Sequence, residues 1–216
     1  MTRPIVIVDY HKGNLRSVER GLVEAGGSAL VTDDPAVIAE SSALVLPGVG
    51  SFGDAMAYLR ESGQREAILA ALGRGVPFLG ICLGLQLLFE RGSETDDGSW
   101  AQGLSVMAGS ATRLESSRLK VPHVGWDQLD LTPPGRACPL FEGVAEGAHV
   151  YFTHSYALAD DVPAELVTAR THYARSFASA AWDGANTYGV QFHPEKSSAV
   201  GLQILRNFVR LAGGSA

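Results

Sequence analysis

The chain has 216 residues, of which 46% are hydrophobic and 19% charged, and its formal net charge is −6. That balance excludes a disordered or fibrous protein and gives enough apolar material for one compact domain over 1–216. A negative chain whose lysines and arginines are scattered is expected to bind neither nucleic acid nor an anionic membrane.

In chain order, Ile5-Val6-Ile7-Val8 reads as a strand, too short an apolar run for a signal peptide. Leu15 to Ala25 follows with apolar residues at helical spacing. Ala29 to Val31 is a second strand, Pro35 to Glu40 a short helix, and Ala43 to Leu46 a third strand ended by Pro47-Gly48-Val49-Gly50. Helical patterns cover Asp54 to Glu61 and Glu66 to Arg74, then Val76 to Ile81 forms a fourth strand running into Cys82 and a helix through Phe89. Strands alternating with helices imply a mostly parallel central sheet flanked by helices, an α/β fold. The polar segment Gly92 to Gly98 reads as a mobile loop.

The second half predicts antiparallel strands added to that sheet: Ser110 to Leu114, Gly125 to Leu131, His149 to Tyr156, Leu166 to Thr171, Phe177 to Trp182 and Tyr188 to Phe192. A helix from about Ala199 to Leu211 and a small-residue tail complete the chain. No apolar stretch reaches the roughly 20 residues of a membrane-spanning helix. Cys82 and Cys138 are the two cysteines, too few for a disulfide framework or metal cluster. Reduced thiols in the cytoplasm, with no metal and no cofactor, are the expectation.

Gly80-Ile81-Cys82-Leu83-Gly84 places a cysteine where a buried strand turns sharply into a helix. A nucleophile on such an elbow has a strained backbone, and glycine two places either side removes side chains that would clash. A helix amino terminus also favours the thiolate. A buried structural cysteine is the plain alternative, and the elbow alone brings the two readings to even terms. The balance shifts with Gly189-Val190-Gln191-Phe192-His193-Pro194-Glu195, in which a strand delivers His193 to its end and Pro194 stiffens the turn. A base that deprotonates a thiol and then protonates a leaving amine needs an acceptor such as Glu195 to orient it. His154 is the main competitor for the base.

Gly48-Val49-Gly50-Ser51-Phe52-Gly53 matches a dinucleotide fingerprint, but the strand that should end in an acidic residue ends in Cys82. Nucleotide binding is therefore not expected. A glycine-rich turn beside a nucleophile can instead offer backbone amides to an oxyanion, and its glycines would let the peptide at Val49 rotate into or out of the site.

With these features the chain resembles the class I glutamine amidotransferases, whose sheet is flavodoxin-like. Within them it is similar to the glutaminase subunits of imidazole glycerol phosphate synthase. Asp9-Tyr10 with Gly13-Asn14-Leu15, Pro122-His123-Val124-Gly125-Trp126, Tyr151-Phe152-Thr153-His154-Ser155-Tyr156 and His193-Pro194-Glu195-Lys196-Ser197 carry that likeness. His11-Lys12, the stretch 105–108 and Asp127 depart from the pattern. The resemblance implies Cys82, His193 and Glu195 as catalytic residues, an oxyanion hole from Val49, Gly50 and Leu83, and glutamine held by Gly48, Gln86, Ser155 and Tyr156. It also implies a heterodimer with a (β/α)8-barrel synthase subunit of the HisF type, contacted by Asn14, Pro122, Trp126, Tyr151 and Lys196, to which ammonia passes in histidine biosynthesis. An amidotransferase subunit of another pathway, a cysteine peptidase and a noncatalytic regulatory subunit are the rival readings.

Overall fold

A computed structural model describes residues 3–213; Met1, Thr2 and the last three residues of the small-residue tail lie outside them. In chain order the first half contains β1 (Ile5–Val8), α1 (Leu15–Glu24), β2 (Ala29–Thr32), α2 (Pro35–Ala39), β3 (Leu44–Gly48), α3 (Phe52–Glu61), α4 (Gln64–Gly73), β4 (Phe78–Cys82) and α5 (Leu83–Leu87). Local chemistry sets several boundaries. Asp34 caps α2 by accepting from the Ala36 amide at 2.8 Å, with Pro35 at the first helical position. Ser51 caps α3, so the run from Gly48 to Gly53 is a strand-to-helix turn.

The second half contains β5 (Phe89–Gly92), β6 (Ala101–Gln102), β7 (Met107–Arg113), β8 (His123–Gln128), β9 (Asp130–Leu131), α6 (Pro133–Ala137), β10 (His149–His154), β11 (Tyr156–Leu158), β12 (Val167–His172), β13 (Ser176–Trp182), β14 (Thr187–Val190) and α7 (Ser198–Leu211). Eight strands form one sheet in the order β2-β1-β3-β4-β14-β13-β12-β9. The first five are mutually parallel, and β13, β12 and β9 extend the sheet antiparallel.

Strand alternation explains why both faces are covered. Ile5 and Ile7 of β1 point into a core shared with Val18 and Leu22 of α1 and Ile204, Leu205 and Phe208 of α7. Val6 and Val8 point the other way, against Ile38 of α2, Met56 and Leu59 of α3 and Ile68 of α4. A parallel strand buried on both faces reads as a continuous apolar run, as β1 does.

Two expectations need correction. The helix after Cys82 does not reach Phe89: the Leu88 amide bonds to the Leu85 carbonyl in a tight last turn, and Phe89 begins β5. The apolar run 85–89 satisfies burial in either conformation, so periodicity did not separate them. The added strands also do not all join the central sheet. β8 and β10 pair as a separate ribbon, and β11, β7, β5 and β6 form a four-stranded sheet. The loop 92–98 meets the start of α3, where the Glu94 carbonyl accepts from the Gly53 amide at 3.0 Å and the Ser51 hydroxyl at 3.2 Å.

Candidate active site

Ligands of open α/β sheets gather beyond the carboxyl ends of the strands. Here β3 ends at Gly48 and β4 at Cys82, in register with each other. On the other side Val190 of β14 pairs with Ile81, so Gln191 comes next to Cys82 and His193 follows. Cys82 has φ 56° and ψ −108°, outside the ordinary regions for a side chain-bearing residue. The flanking glycines permit this turn. A Cβ on Gly80 would lie 2.5 Å from the Gly84 carbonyl oxygen, and one on Gly84 would run into the Leu46 carbonyl.

His193 Nδ1 lies 2.9 Å from Glu195 Oε1, and the two side chains are 4% and 1% exposed. That contact leaves His193 Nε2 buried and without a hydrogen-bond partner. Burial alone pulls the imidazole pKa down, but the adjacent Cys82 thiol and Glu195 carboxylate outweigh it and hold the value well above the ordinary histidine range. Pro194 opens a single 3-10 turn from Pro194 to Lys196, and the Ser197 hydroxyl donates to the His193 carbonyl at 2.7 Å, which fixes the turn that carries the pair.

A cleft of about 290 Å³ opens over Cys82. Val49, Gly50 and Leu83 line it, as do Gln86, Ser155 and Tyr156. Gly50 has φ +97°, which favours glycine, and Leu83 opens α5, so its amide has no acceptor within that helix. Gly48, expected to hold substrate, is buried beside Cys82 and does not line the cleft. Pro122, expected at an interface, does line it.

The base competitor His154 is engaged elsewhere. Its Nδ1 lies 2.8 Å from the Tyr156 carbonyl and its Nε2 3.1 Å from His123 Nδ1. An Nδ1–H to the carbonyl makes Nε2 the acceptor of the His123 Nδ1–H. Burial pushes the His154 pKa down to about 3, against the bond to the Tyr156 carbonyl. It is a neutral structural histidine. Cys138 is likewise buried, its thiol pushed up to about 12 by burial, and so is unreactive.

Sequence reasoning missed two residues. Glu94 lines the cleft from the loop after β5, and burial raises its pKa. Gln191 is fully buried with its Nε2 3.5 Å from Cys82 Sγ. Gln191 lies within the strand-to-histidine motif, but its direction depends on Gln86 of α5, to which its Oε1 is bonded.

The β8–β10 ribbon turns two different faces. Val150, Phe152, His154 and His123 are buried, while Val124 and Trp126 are 56% and 51% exposed. Trp126 pairs with Tyr151 across the ribbon, their rings edge-to-face at 6.0 Å, and Lys196 Nζ stands 5.9 Å from the Tyr151 ring centroid. Thus Trp126, Tyr151 and Lys196 form one patch. Asn14 stands part-buried at the start of α1.

A strained cysteine at the carboxyl end of one parallel strand, with a glutamate-held histidine just beyond the same end of its neighbour, gives the fold a thiol beside an oriented imidazole. Residues 6–212 match the glutamine amidotransferase class-I family, and the chain belongs to it. More particularly, it is 48% identical over 210 residues to the imidazole glycerol phosphate synthase subunit HisH of Syntrophotalea carbinolica, covering 94% of this chain and 98% of that protein. It is 47% identical to the subunit HisH of Moorella thermoacetica, over 99% of both chains. Solved structures of a glutamine amidotransferase and of PurLQS from Thermotoga maritima share the fold, each with TM-score 0.72, 19% identity, and coverage of 97% of this chain and 99% of theirs. Among the described residues no helix is long and apolar enough to cross a membrane.

Proposed function

We propose that this chain is the glutaminase subunit of an imidazole glycerol phosphate synthase, hydrolysing glutamine at Cys82 and passing ammonia to a (β/α)8-barrel synthase subunit in the cytoplasm. The observation that carries the reading is the buried His193–Glu195 pair at 2.9 Å beside a strained Cys82 that lines the cleft.

In this mechanism the Cys82 thiolate attacks the carboxamide carbon of glutamine. The oxygen gains the negative charge and is met by the Leu83 amide and by an amide of Val49 or Gly50. His193, kept cationic by Glu195 and Cys82, gives its Nε2 proton to the departing nitrogen, and ammonia leaves a glutamyl thioester. Water then attacks the thioester while His193 takes up its proton, and glutamate departs. Gln86 can act on the substrate only as an acceptor, because its amide nitrogen already donates to the Tyr156 carbonyl at 2.8 Å and to Gln191 Oε1 at 2.9 Å. With the Glu94 carboxylate it suits the ammonium group of an amino acid. The exposed Trp126–Tyr151–Lys196 patch suits a protein partner, since aromatic rings are enriched at interface centres.

The test is glutamate release from glutamine, by the chain alone and with the barrel synthase plus its acceptor nucleotide. Strong stimulation, abolished in Cys82→Ala with the fold intact, is expected. Full activity alone points to a free-standing glutaminase, and no activity under either condition overturns the catalytic reading in favour of a regulatory subunit.

A further inference from the structure

The amino terminus of the helix that follows Cys82 favours its thiolate. That helix, α5, has only five residues and closes on a tight turn at Leu88. A dipole built from so few peptides is weak. A buried thiolate needs another donor.

The hydrogen-bond network identifies one. The Tyr156 carbonyl can only accept, so the Gln86 group facing it at 2.8 Å is the amide nitrogen. The second hydrogen of that nitrogen points to the other contact, Gln191 Oε1 at 2.9 Å. Gln191 therefore has its oxygen turned to Gln86 and its NH2 turned to Cys82 Sγ, at 3.5 Å. Flipping either amide would set two acceptors or two donors against each other. Thus the Tyr156 carbonyl, with three strands between them in sequence, fixes the direction in which Gln191 points.

We infer that Gln191 is a further catalytic residue, whose side-chain N–H donates to the Cys82 sulfur, stabilises the thiolate before attack and holds it aimed into the cleft. The inference rests on the thiol-amidotransferase reading above. Around the sulfur stand His193 on one side and the Thr153 carbonyl, an acceptor at 3.9 Å, on another. Tyr10, which also faces Cys82, is held neutral by burial. The Thr153 carbonyl favours the protonated thiol, whereas the Gln191 amide nitrogen, hydrogen-bonded to the sulfur at 3.5 Å, favours the anion. A hydrogen bond to a charged group also strengthens as charge develops and weakens when the sulfur becomes a thioester, so Gln191 assists expulsion of sulfur when water attacks.

The experiment is the pH dependence of Cys82 alkylation by iodoacetamide, located by mass spectrometry on the full chain, with buried Cys138 as the internal control. In Gln191→Leu the alkylation midpoint should move to higher pH and the rate at neutral pH fall about ten-fold or more. Gln191→Glu keeps an acceptor for Gln86 but sets a carboxylate beside the sulfur, and should lower the neutral rate at least as far. Should Gln191→Leu fail to fold, as judged by its melting transition, Gln191→Glu decides the matter. A folded variant with a midpoint and neutral rate like those of the parent protein overturns the inference. Glutamine hydrolysis by the parent chain with its barrel partner is measured in parallel. Its absence would remove the glutaminase reading, whereas its presence with unchanged alkylation in the variants removes only the role of Gln191.

Discussion

His193 Nδ1 sits 2.9 Å from Glu195 Oε1, with only one residue between them and both side chains enclosed. Pro194 makes that proximity possible by ending the extended segment and starting a single 3-10 turn. The carboxylate then sets the imidazole tautomer, so the proton on Nδ1 is spoken for and Nε2 is the ring nitrogen left for proton transfer in the proposed mechanism.

Replacing Glu195 by Gln should therefore lower glutamine turnover by about 10²–10⁴-fold while leaving the fold in place. The same change carries a pH signature. Because the folded-state pKa of His193 is raised, its stabilising contribution is present below the ordinary histidine value and through neutrality, and is lost as pH rises through the raised value. In Glu195→Gln the contribution should be smaller and its loss complete at lower pH. Denaturant midpoints measured across the alkaline range check it, and overlapping curves would exclude Glu195 as a cause of the shift.

The His154 pKa moves the opposite way. Burial lowers it to about 3, so the folded state favours the neutral ring. Its stabilising effect is complete above the ordinary histidine value and declines as pH falls below it. Of the charged groups near this ring, His123 and Arg175 add to the depression, as does His193. His154→Gln should flatten the decline of stability between neutral pH and about pH 4, read as the melting temperature at each pH. Parallel slopes in both proteins would reject the assignment.

The elbow predicts a steric effect. Gly84→Ala sets a methyl against the Leu46 carbonyl, which belongs to β3 and cannot yield without moving the sheet. A loss of about 1–3 kcal/mol is expected from urea midpoints, with alkylation of Cys82 altered as the turn shifts. An unchanged midpoint would mean that the turn is more adaptable than drawn.

Gly50 tests the oxyanion turn. At φ +97°, alanine costs about 1–2 kcal/mol of backbone strain if the conformation is kept. Gly50→Ala should reduce glutamine turnover more than stability, because the strain is relieved by rotating the peptide that faces the cleft. Gly50→Pro should in addition blunt stimulation by the barrel subunit, and undiminished stimulation would exclude peptide rotation as the control.

For the exposed patch, Trp126→Ala should weaken binding to the barrel subunit by about 2 kcal/mol or more, near thirty-fold in dissociation constant, and leave the melting temperature close to the parent's. Titration calorimetry reads the first, and undiminished affinity would move the interface elsewhere.

Much of this molecule is legible in one dimension. The short β-branched run Ile5–Val8 reads as a strand buried on two faces, and glycines two places either side of Cys82 mark a turn too tight for side chains. The His193-Pro194-Glu195 pair is also local, since two residues and one proline determine its geometry. Where the run 85–89 could end as helix or strand, the answer came from packing: Phe89 is buried in the second core and pairs with Met107.

Tertiary structure alone decided the contacts made across strands. Nothing in the segment 189–195 says that Gln191 turns its amide nitrogen to a sulfur 109 residues away in sequence, because that direction is set by Gln86 and ultimately by the Tyr156 carbonyl. Nor does a polar loop announce that Glu94 reaches the cleft, or that Pro122 lines it while Gly48 stays buried. Sequence determined the cysteine elbow, the His193–Glu195 pair and the layered sheet, since each follows from local sterics or periodicity. Which polar atoms face one another depended on strand register, because hydrogen bonds have direction and the two ends of an amide are opposite in kind.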